Sequence, residues 1–345
     1  ETAMDRSDIV ILSGGLGPTE DDLTKETASA VCDRELEMHE PSRKALKRYF
    51  EDRGMEPTEN NWKQAMVPVG SIVLENHNGT APGVILETGK ANVILLPGPP
   101  NELVPMFEES VAPYLESISG QVICSRTVKI CGVGESRAET MVKDLIDAQT
   151  NPTLATYAKT GEVHIRVTAS AQDRKTATKL IKPLVKELKN RFGNDVYTTE
   201  EETTLERAVV DLLIANDLTV SCAESCTGGM LSARLINVPG VSEVYKTGYV
   251  TYSNKAKRKL LGVKKGTLQK YGAVSAQVAE EMAKGTALGT KADVAMAVTG
   301  IAGPDGGSED KPVGLVYIAC HVKGNVTVKK YQFVGNRSKI RESAV

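Results

Sequence analysis

Three times along the chain a short apolar run stops at a glycine- or proline-rich turn and gives way to a helical pattern. The runs are Ile9 to Leu12 before Ser13-Gly14-Gly15-Leu16-Gly17-Pro18-Thr19, Asn92 to Leu96 before Pro97-Gly98-Pro99-Pro100, and Leu218 to Cys222 before Glu224-Ser225-Cys226-Thr227-Gly228-Gly229. Apolar runs without polar alternation read as strands buried on both faces, and strands alternating with helices predict an α/β fold with a parallel sheet between helical layers. None reaches the roughly 18 residues that a membrane span needs. A length of 345 residues predicts two or three domains. With 42 basic and 44 acidic residues, a net charge of -2 excludes a chain that binds polyanions over its whole surface. Six cysteines and four histidines, widely scattered, predict neither a disulfide framework nor a zinc or histidine-based metal centre, and so a cytoplasmic protein.

The pattern divides into three segments. Residues 1–120 form the first α/β domain. Residues 121–200 read as a small α+β unit of order βαββα: strand Thr127 to Cys131, helix Glu135 to Ala148, strands Thr153 to Ala158 and Glu162 to Ala169, helix Asp173 to Arg191. Thr198 to Thr203 is the expected linker. Residues 201–345 form a second α/β domain, with strands near Leu218 to Cys222, Tyr245 to Tyr252, Val294 to Thr299, Gly314 to Val322 and Val326 to Phe333. No fixed-period repeat occurs, which excludes solenoids and propellers.

Two places carry chemistry. At Gly14 to Asp22, a strand, a glycine turn and a helix start make a generic anion site; the same residues also read as a tight turn in which Asp21 and Asp22 cap the helix. Adjacent carboxylates beside a phosphate cradle would suit a divalent cation, and Pro97 to Glu102 would supply another wall of that cleft. At Ser225, a hydroxyl following a strand lies beside the N–H groups of a helix start, the arrangement that stabilises an oxyanion; a helix cap explains it equally. No histidine lies nearby in sequence. A lysine would serve as the base if burial brought its pKa down from about 10.4. The stretch Lys246 to Lys270 holds Lys246, Lys255, Lys257, Arg258, Lys259, Lys264, Lys265 and Lys270 with no acidic residue between. It reads as a solvated face, a phosphate or nucleic-acid patch, or the source of that base.

Gly14-Gly15-Leu16-Gly17-Pro18-Thr19-Glu20-Asp21-Asp22-Leu23-Thr24, Asn78-Gly79-Thr80-Ala81-Pro82-Gly83 and Pro97-Gly98-Pro99-Pro100-Asn101-Glu102 resemble the competence/damage-inducible CinA family. So do Ala223 to Gly229, Gly248 to Lys257, Gly272-Ala273-Val274-Ser275 and Gly300 to Gly307. The resemblance implies an α/β chain of three parts: an N-terminal three-layer molybdopterin-binding-like domain acting as an ADP-ribose pyrophosphatase, a small α+β KH-like middle domain, and a C-terminal α/β nicotinamide mononucleotide (NMN) deamidase domain. For the deamidase it implies Ser225 as nucleophile, Lys257 as its base and Tyr252 as an assisting hydroxyl, with no cofactor. Thr227, Gly228, Gly229, Gly303, Asp305, Gly306 and Gly307 would bind substrate, and the phosphate falls to either the Gly228-Gly229 helix start or the Gly303 to Gly307 loop.

For the pyrophosphatase the resemblance implies Gly14, Gly15, Gly17, Thr19, Asn78, Gly98 and Lys159 around the nucleotide. Asp21, Asp22 and Glu102 would hold magnesium, manganese or cobalt. NMN and ADP-ribose are the expected small-molecule partners, a homodimer the expected assembly, and neither membrane nor nucleic acid an expected partner. The middle segment's Gly132-Val133-Gly134-Glu135 falls short of the Gly-x-x-Gly clamp of nucleic-acid-binding KH domains. The family's first strand and Gly-Thr-Glu loop are not found ahead of Ile9, so the sequence predicts a chain shortened at its start and by a few helix residues after Val345. The alternative from another class is a competence- or damage-linked adaptor that binds nucleic acid through Lys246 to Lys270.

Overall fold

The computed structural model describes residues 1–345 and divides them into two compact units, Glu1–Val122 and Ile123–Val345. No helix is long and apolar enough to cross a membrane.

The first unit contains β1 (Ile9–Ser13), α1 (Thr24–Val31), β2 (Leu36–Met38), α2 (Glu40–Glu51), β3 (Met66–Pro68), β4 (Ile72–Leu74), β5 (Gly83–Glu87), β6 (Asn92–Leu96), α3 (Pro100–Met106) and α4 (Ala112–Ser119). Its main sheet has the order β1-β6-β5-β4, with β1 parallel to β6 and the other pairs antiparallel. The parallel sheet expected here is therefore mixed, because the connection from β5 to β6 is of hairpin length and only antiparallel strands can be joined so tightly. Val84 and Leu86 of β5 face one core cluster with Leu16 and Ala28, while Ile85 faces the other with Met106 and Val111, which gives three layers. β1 is an edge strand rather than a buried one, and its Ile9 and Ile11 are 38% and 45% exposed. Lys25 of α1 is fully buried, and its amine donates to the carbonyls of Gln64 and Met66 at 2.7 and 2.8 Å.

The second unit begins one residue into β7 (Val122–Cys131) and continues with α5 (Glu135–Asp147), β8 (Thr153–Lys159), β9 (Glu162–Ala171), α6 (Arg174–Phe192) and β10 (Val196–Thr198). The βαββα order stands. The start of the expected linker instead belongs to β10, which adds to the sheet as β10-β7-β9-β8. Thr160-Gly161 closes the hairpin between β8 and β9, with Lys159 opposite Glu162 and Gly161 at φ +77.

The remaining elements are α7 (Leu205–Ala215), β11 (Val220–Glu224), α8 (Met230–Ile236), β12 (Tyr245–Val250), α9 (Asn254–Leu261), α10 (Lys265–Tyr271), α11 (Ala276–Thr290), β13 (Val294–Gly300), β14 (Leu315–Val322), β15 (Asn325–Gln332) and α12 (Arg337–Ser343). The sheet runs β12-β11-β13-β14-β15. β12, β11 and β13 are parallel, and β14 and β15 complete it as antiparallel strands. Alternation along β11 sends Val220 and Cys222 to a core shared with α7, α8 and α12, and Ala223 to one shared with α9, α10 and α11. Two helical layers thus enclose the sheet.

Gly285 of α11 sits directly against the backbone carbonyl of Leu261, the last residue of α9, so a Cβ there would collide with main chain. Gly285→Ala is expected to destabilise the second unit by about 1–3 kcal/mol, the range for overpacking, measured as a lower urea midpoint. An unchanged midpoint would show that α9 is free to shift.

Candidate active site

Because β11, β12 and β13 are parallel, their carboxyl ends share one edge of the sheet, where open α/β sheets place their ligand crevices. Three segments leave that edge: the Ser225–Gly229 turn, Thr251 to Ser253, and the loop from Ile301 to Gly307. Two main-chain bonds knit them together, Ser225 N–H to the Val298 carbonyl at 3.0 Å and Thr251 N–H to the Glu224 carbonyl at 2.8 Å.

α9 begins at once after Tyr252, because the Ser253 hydroxyl caps it by accepting the Ala256 N–H at 3.1 Å. Lys257 and Leu261 lie four residues apart on its buried face, while Lys255, Arg258 and Lys259 point to solvent. Lys257 is only 1% exposed, and its Nζ lies 2.8 Å from Ser225 Oγ. The same amine donates to the Thr251 carbonyl at 2.7 Å and the Tyr252 carbonyl at 3.4 Å. A neutral amine has two protons and one lone pair. Two carbonyls and one hydroxyl satisfy that form, with the lone pair left for the serine proton, and the same three partners accept the three protons of the ammonium. No carboxylate pairs with this lysine. Burial pushes its pKa down to about 8, opposed only by the neighbouring Cys226 thiol.

The Ser225–Gly229 turn is held by Glu224, which is fully buried. Its carboxylate accepts the N–H groups of Gly229, Leu231 and Ser232 at 2.9, 3.1 and 2.9 Å and the Ser232 hydroxyl at 2.6 Å. Burial pushes this carboxyl upward, but the Ser232 hydroxyl and the helix N–H groups outweigh it and hold the pKa below the ordinary value. Gly228 and Gly229, at φ +62 and +100, let the chain reverse so that α8 starts over that carboxylate. From the far end of the chain, Arg341 donates to the Cys226 and Thr227 carbonyls, each at 2.9 Å, and Arg337 donates to the Gly303 carbonyl at 2.7 Å.

The expected residues are thus placed as follows. Ser225 and Lys257 meet. Thr227 is buried in the turn, with Gly228 and Gly229 beside it, while Asp305, Gly306 and Gly307 lie exposed on the loop after β13. Tyr252 reaches the lysine through its carbonyl. Its ring is 62% exposed, and its hydroxyl accepts from Arg337 at 3.1 Å. Glu224, Arg337 and Arg341 were missed. A charged residue closing an otherwise apolar strand was the available signal for Glu224; nothing local marks the arginines.

In the first unit, Gly14 and Gly98 follow the parallel neighbours β1 and β6, and their backbones pack against each other. The Thr19 N–H and hydroxyl donate to Asp22 at 3.0 and 2.5 Å, and the hydroxyl also reaches Asp21; these bonds pull the Asp22 pKa down. A Cβ on Gly17 would strike that carboxylate. The Asn78 side chain donates to the Asn101 carbonyl, and Glu102 accepts from Asn76 at 2.7 Å. Gly15 has φ +68, and Lys159 stands exposed on the β8–β9 hairpin of the second unit. Nowhere are three or more Asp, Glu, His or Cys side chains grouped to hold a metal ion. Asp21 and Asp22 are drawn together by the Thr19 hydroxyl, while Glu102 lies in the first turn of α3 after the Gly98 turn.

These features define a chain of three modules whose last one buries a serine–lysine pair at the carboxyl edge of parallel strands. Residues 1–117 match the model described as "Probable molybdopterin binding domain", residues 125–198 the damage-inducible protein CinA KH domain, and residues 202–345 the CinA C-terminal domain. A Clostridium beijerinckii protein named for competence and damage induction is 53% identical over 344 residues, covering 100% of this chain and 84% of that protein. A CinA-like protein of Dictyoglomus thermophilum is 52% identical over 341 residues, covering 99% and 83%. The crystal structure of a competence/damage-inducible protein from Agrobacterium tumefaciens is 46% identical over 40% of this chain and 84% of that one, with a TM-score of 0.39. The chain belongs to the CinA family.

A lysine whose folded pKa is depressed to about 8 binds fewer protons folded than unfolded between there and its unfolded value. Stability is therefore diminished as pH falls through that window, and the deficit is constant below it. Lys257→Met is expected to be more stable than the parent at neutral pH, with the gap in melting temperature closing as pH rises towards about 10. A gap independent of pH would contradict a lysine pKa lowered by burial.

Proposed function

We propose that the chain hydrolyses the carboxamide of nicotinamide mononucleotide to nicotinic acid mononucleotide and ammonia. The observation that carries this reading is the buried amine of Lys257, 2.8 Å from Ser225 Oγ and without a carboxylate partner. Lys257 takes the hydroxyl proton as Ser225 Oγ attacks the carboxamide carbon. The N–H groups of the turn after Ser225 hold the developing oxyanion. Collapse breaks the carbon–nitrogen bond, and the lysine ammonium returns its proton to the leaving ammonia, leaving a serine ester. Water, deprotonated by the same amine, attacks the ester and releases the carboxylate and the serine. None of these steps requires a metal ion.

Of the two glycine segments open to the substrate phosphate, the Gly303–Gly307 loop is favoured. The start of α8 already carries a negative charge, that of Glu224. A second activity, metal-dependent cleavage of ADP-ribose by the first unit, would draw on Asp21, Asp22 and Glu102 together with substrate phosphate oxygens, since a cation such as magnesium takes only one or two carboxylates.

Purified protein should release ammonia from NMN in excess EDTA, with a rate that rises with pH through about 8 as Lys257 loses its proton. Ser225→Ala and Lys257→Ala are each expected to lower kcat by about a thousandfold or more, as removal of a nucleophile or its base does. Full activity in Lys257→Ala, or loss of activity in chelator, would overturn the mechanism.

A further inference from the structure

The helix that follows the nucleophile turn is too short to define its own position. α8 spans only seven residues, well under the length at which helices hold themselves in water. Its orientation, and with it the turn that presents Ser225, depends on what grips it. Glu224 holds its first turn, and Leu231 and Leu235 anchor its inner face in the core beside Cys226. The outer face is gripped by Arg234, and its partners belong to two other elements.

Arg234 Nη2 lies 3.2 Å from Glu162 of β9, in the KH-like module, and its Nε lies 3.0 Å from Glu206 of α7. This is not a loose surface pair: the Glu162 side chain is 11% exposed, that of Glu206 22% and that of Arg234 31%. Glu162 is itself fixed from behind, because the Tyr197 hydroxyl of β10 donates to it at 2.5 Å and His164 lies 3.2 Å away. Removing one member of a sheltered ionic group leaves the others desolvated and unpaired, so the arrangement resists partial loosening.

We propose that Arg234 is a positioning residue for Ser225: by bridging Glu162 and Glu206 it holds α8 and the preceding turn in line with Lys257, so that the KH-like module sets the alignment of the nucleophile. The inference rests on the serine–lysine reading above. It gives the middle module a role in catalysis by the last one without any contact to substrate. Neither Arg234 nor Glu162 touches the reacting atoms, so their loss should slow turnover and leave substrate affinity nearly intact.

The test uses the full chain with Arg234→Met, Arg234→Lys, Glu162→Gln and the double variant Glu162→Gln/Arg234→Met. The readouts are kcat and KM for NMN, and the rate at which a fluorophosphonate probe modifies Ser225, which needs no NMN. Arg234→Met and Glu162→Gln are each expected to lower kcat and the labelling rate about tenfold with KM within about twofold, and the double variant to be no worse than either, as for residues in one network. Arg234→Lys should recover part of the loss. Glu162→Gln carries the test if Arg234→Met does not fold. Parental kcat and labelling rate in the variants, a change confined to KM, losses that add in the double variant, or a lower melting temperature with unchanged labelling would overturn the proposal. If the parent labels at Ser225 but releases no ammonia from NMN, the functional reading fails while the labelling rates still decide the role of Arg234.

Discussion

A lysine amine enclosed by protein, with two carbonyls and one hydroxyl as its only partners, is the constraint around which the C-terminal module is organised. Taking an ammonium out of water without a compensating carboxylate is costly, and a lysine so placed sheds its proton more readily. The fold meets that condition by geometry. Ser253 caps α9 so that Lys257 faces inward, Gly285 lets α11 close over the end of α9, and the ladder bond from Thr251 to Glu224 brings the accepting carbonyl to the nucleophile turn. The exposed cations of the same helix contribute nothing to that enclosure. One helix thus accommodates a run of exposed basic residues and a single buried amine that sheds its proton near pH 8.

The second buried charge has the opposite electrostatics. Glu224 stays ionised because four donors converge on it. The two groups are adjacent in the fold yet do not pair, because Glu224 is spent on the start of α8 and the lysine on the serine. Had they met, the carboxylate would have held the lysine in its protonated form. Separation of these two charges by one turn of chain is what leaves an amine available to accept a proton.

Much of this was legible in the residues. The three strand–turn–helix units and the order of the middle module follow from apolar runs and glycine placement, whereas the choice of Lys257 among the cations of Lys246 to Lys270 comes from the family resemblance, and the structure brings its amine to Ser225. What was not legible depends on neighbours distant in sequence. β1 reads as a buried strand but is an edge, since the pattern of Ile9 to Leu12 cannot tell how many partners it has. The first sheet is mixed because β5 intervenes by a hairpin, and β10 joins the middle sheet just before the polar stretch that reads as linker, sharing only Thr198 with it. Arg337 and Arg341 reach the site from residues more than a hundred positions beyond Ser225, and Arg234 reads as an ordinary helix-surface cation until Glu162 and Glu206 are seen beside it.

The most direct test is the titration of Lys257 itself, followed by NMR of lysine labelled at the ε-carbon and assigned by its disappearance in Lys257→Met. An amine whose ammonium form is disfavoured by burial titrates near pH 8. Titration near the ordinary lysine value of about 10.4 would mean that burial does not lower the amine's pKa and that too little free base is present near neutral pH to take the proton from Ser225.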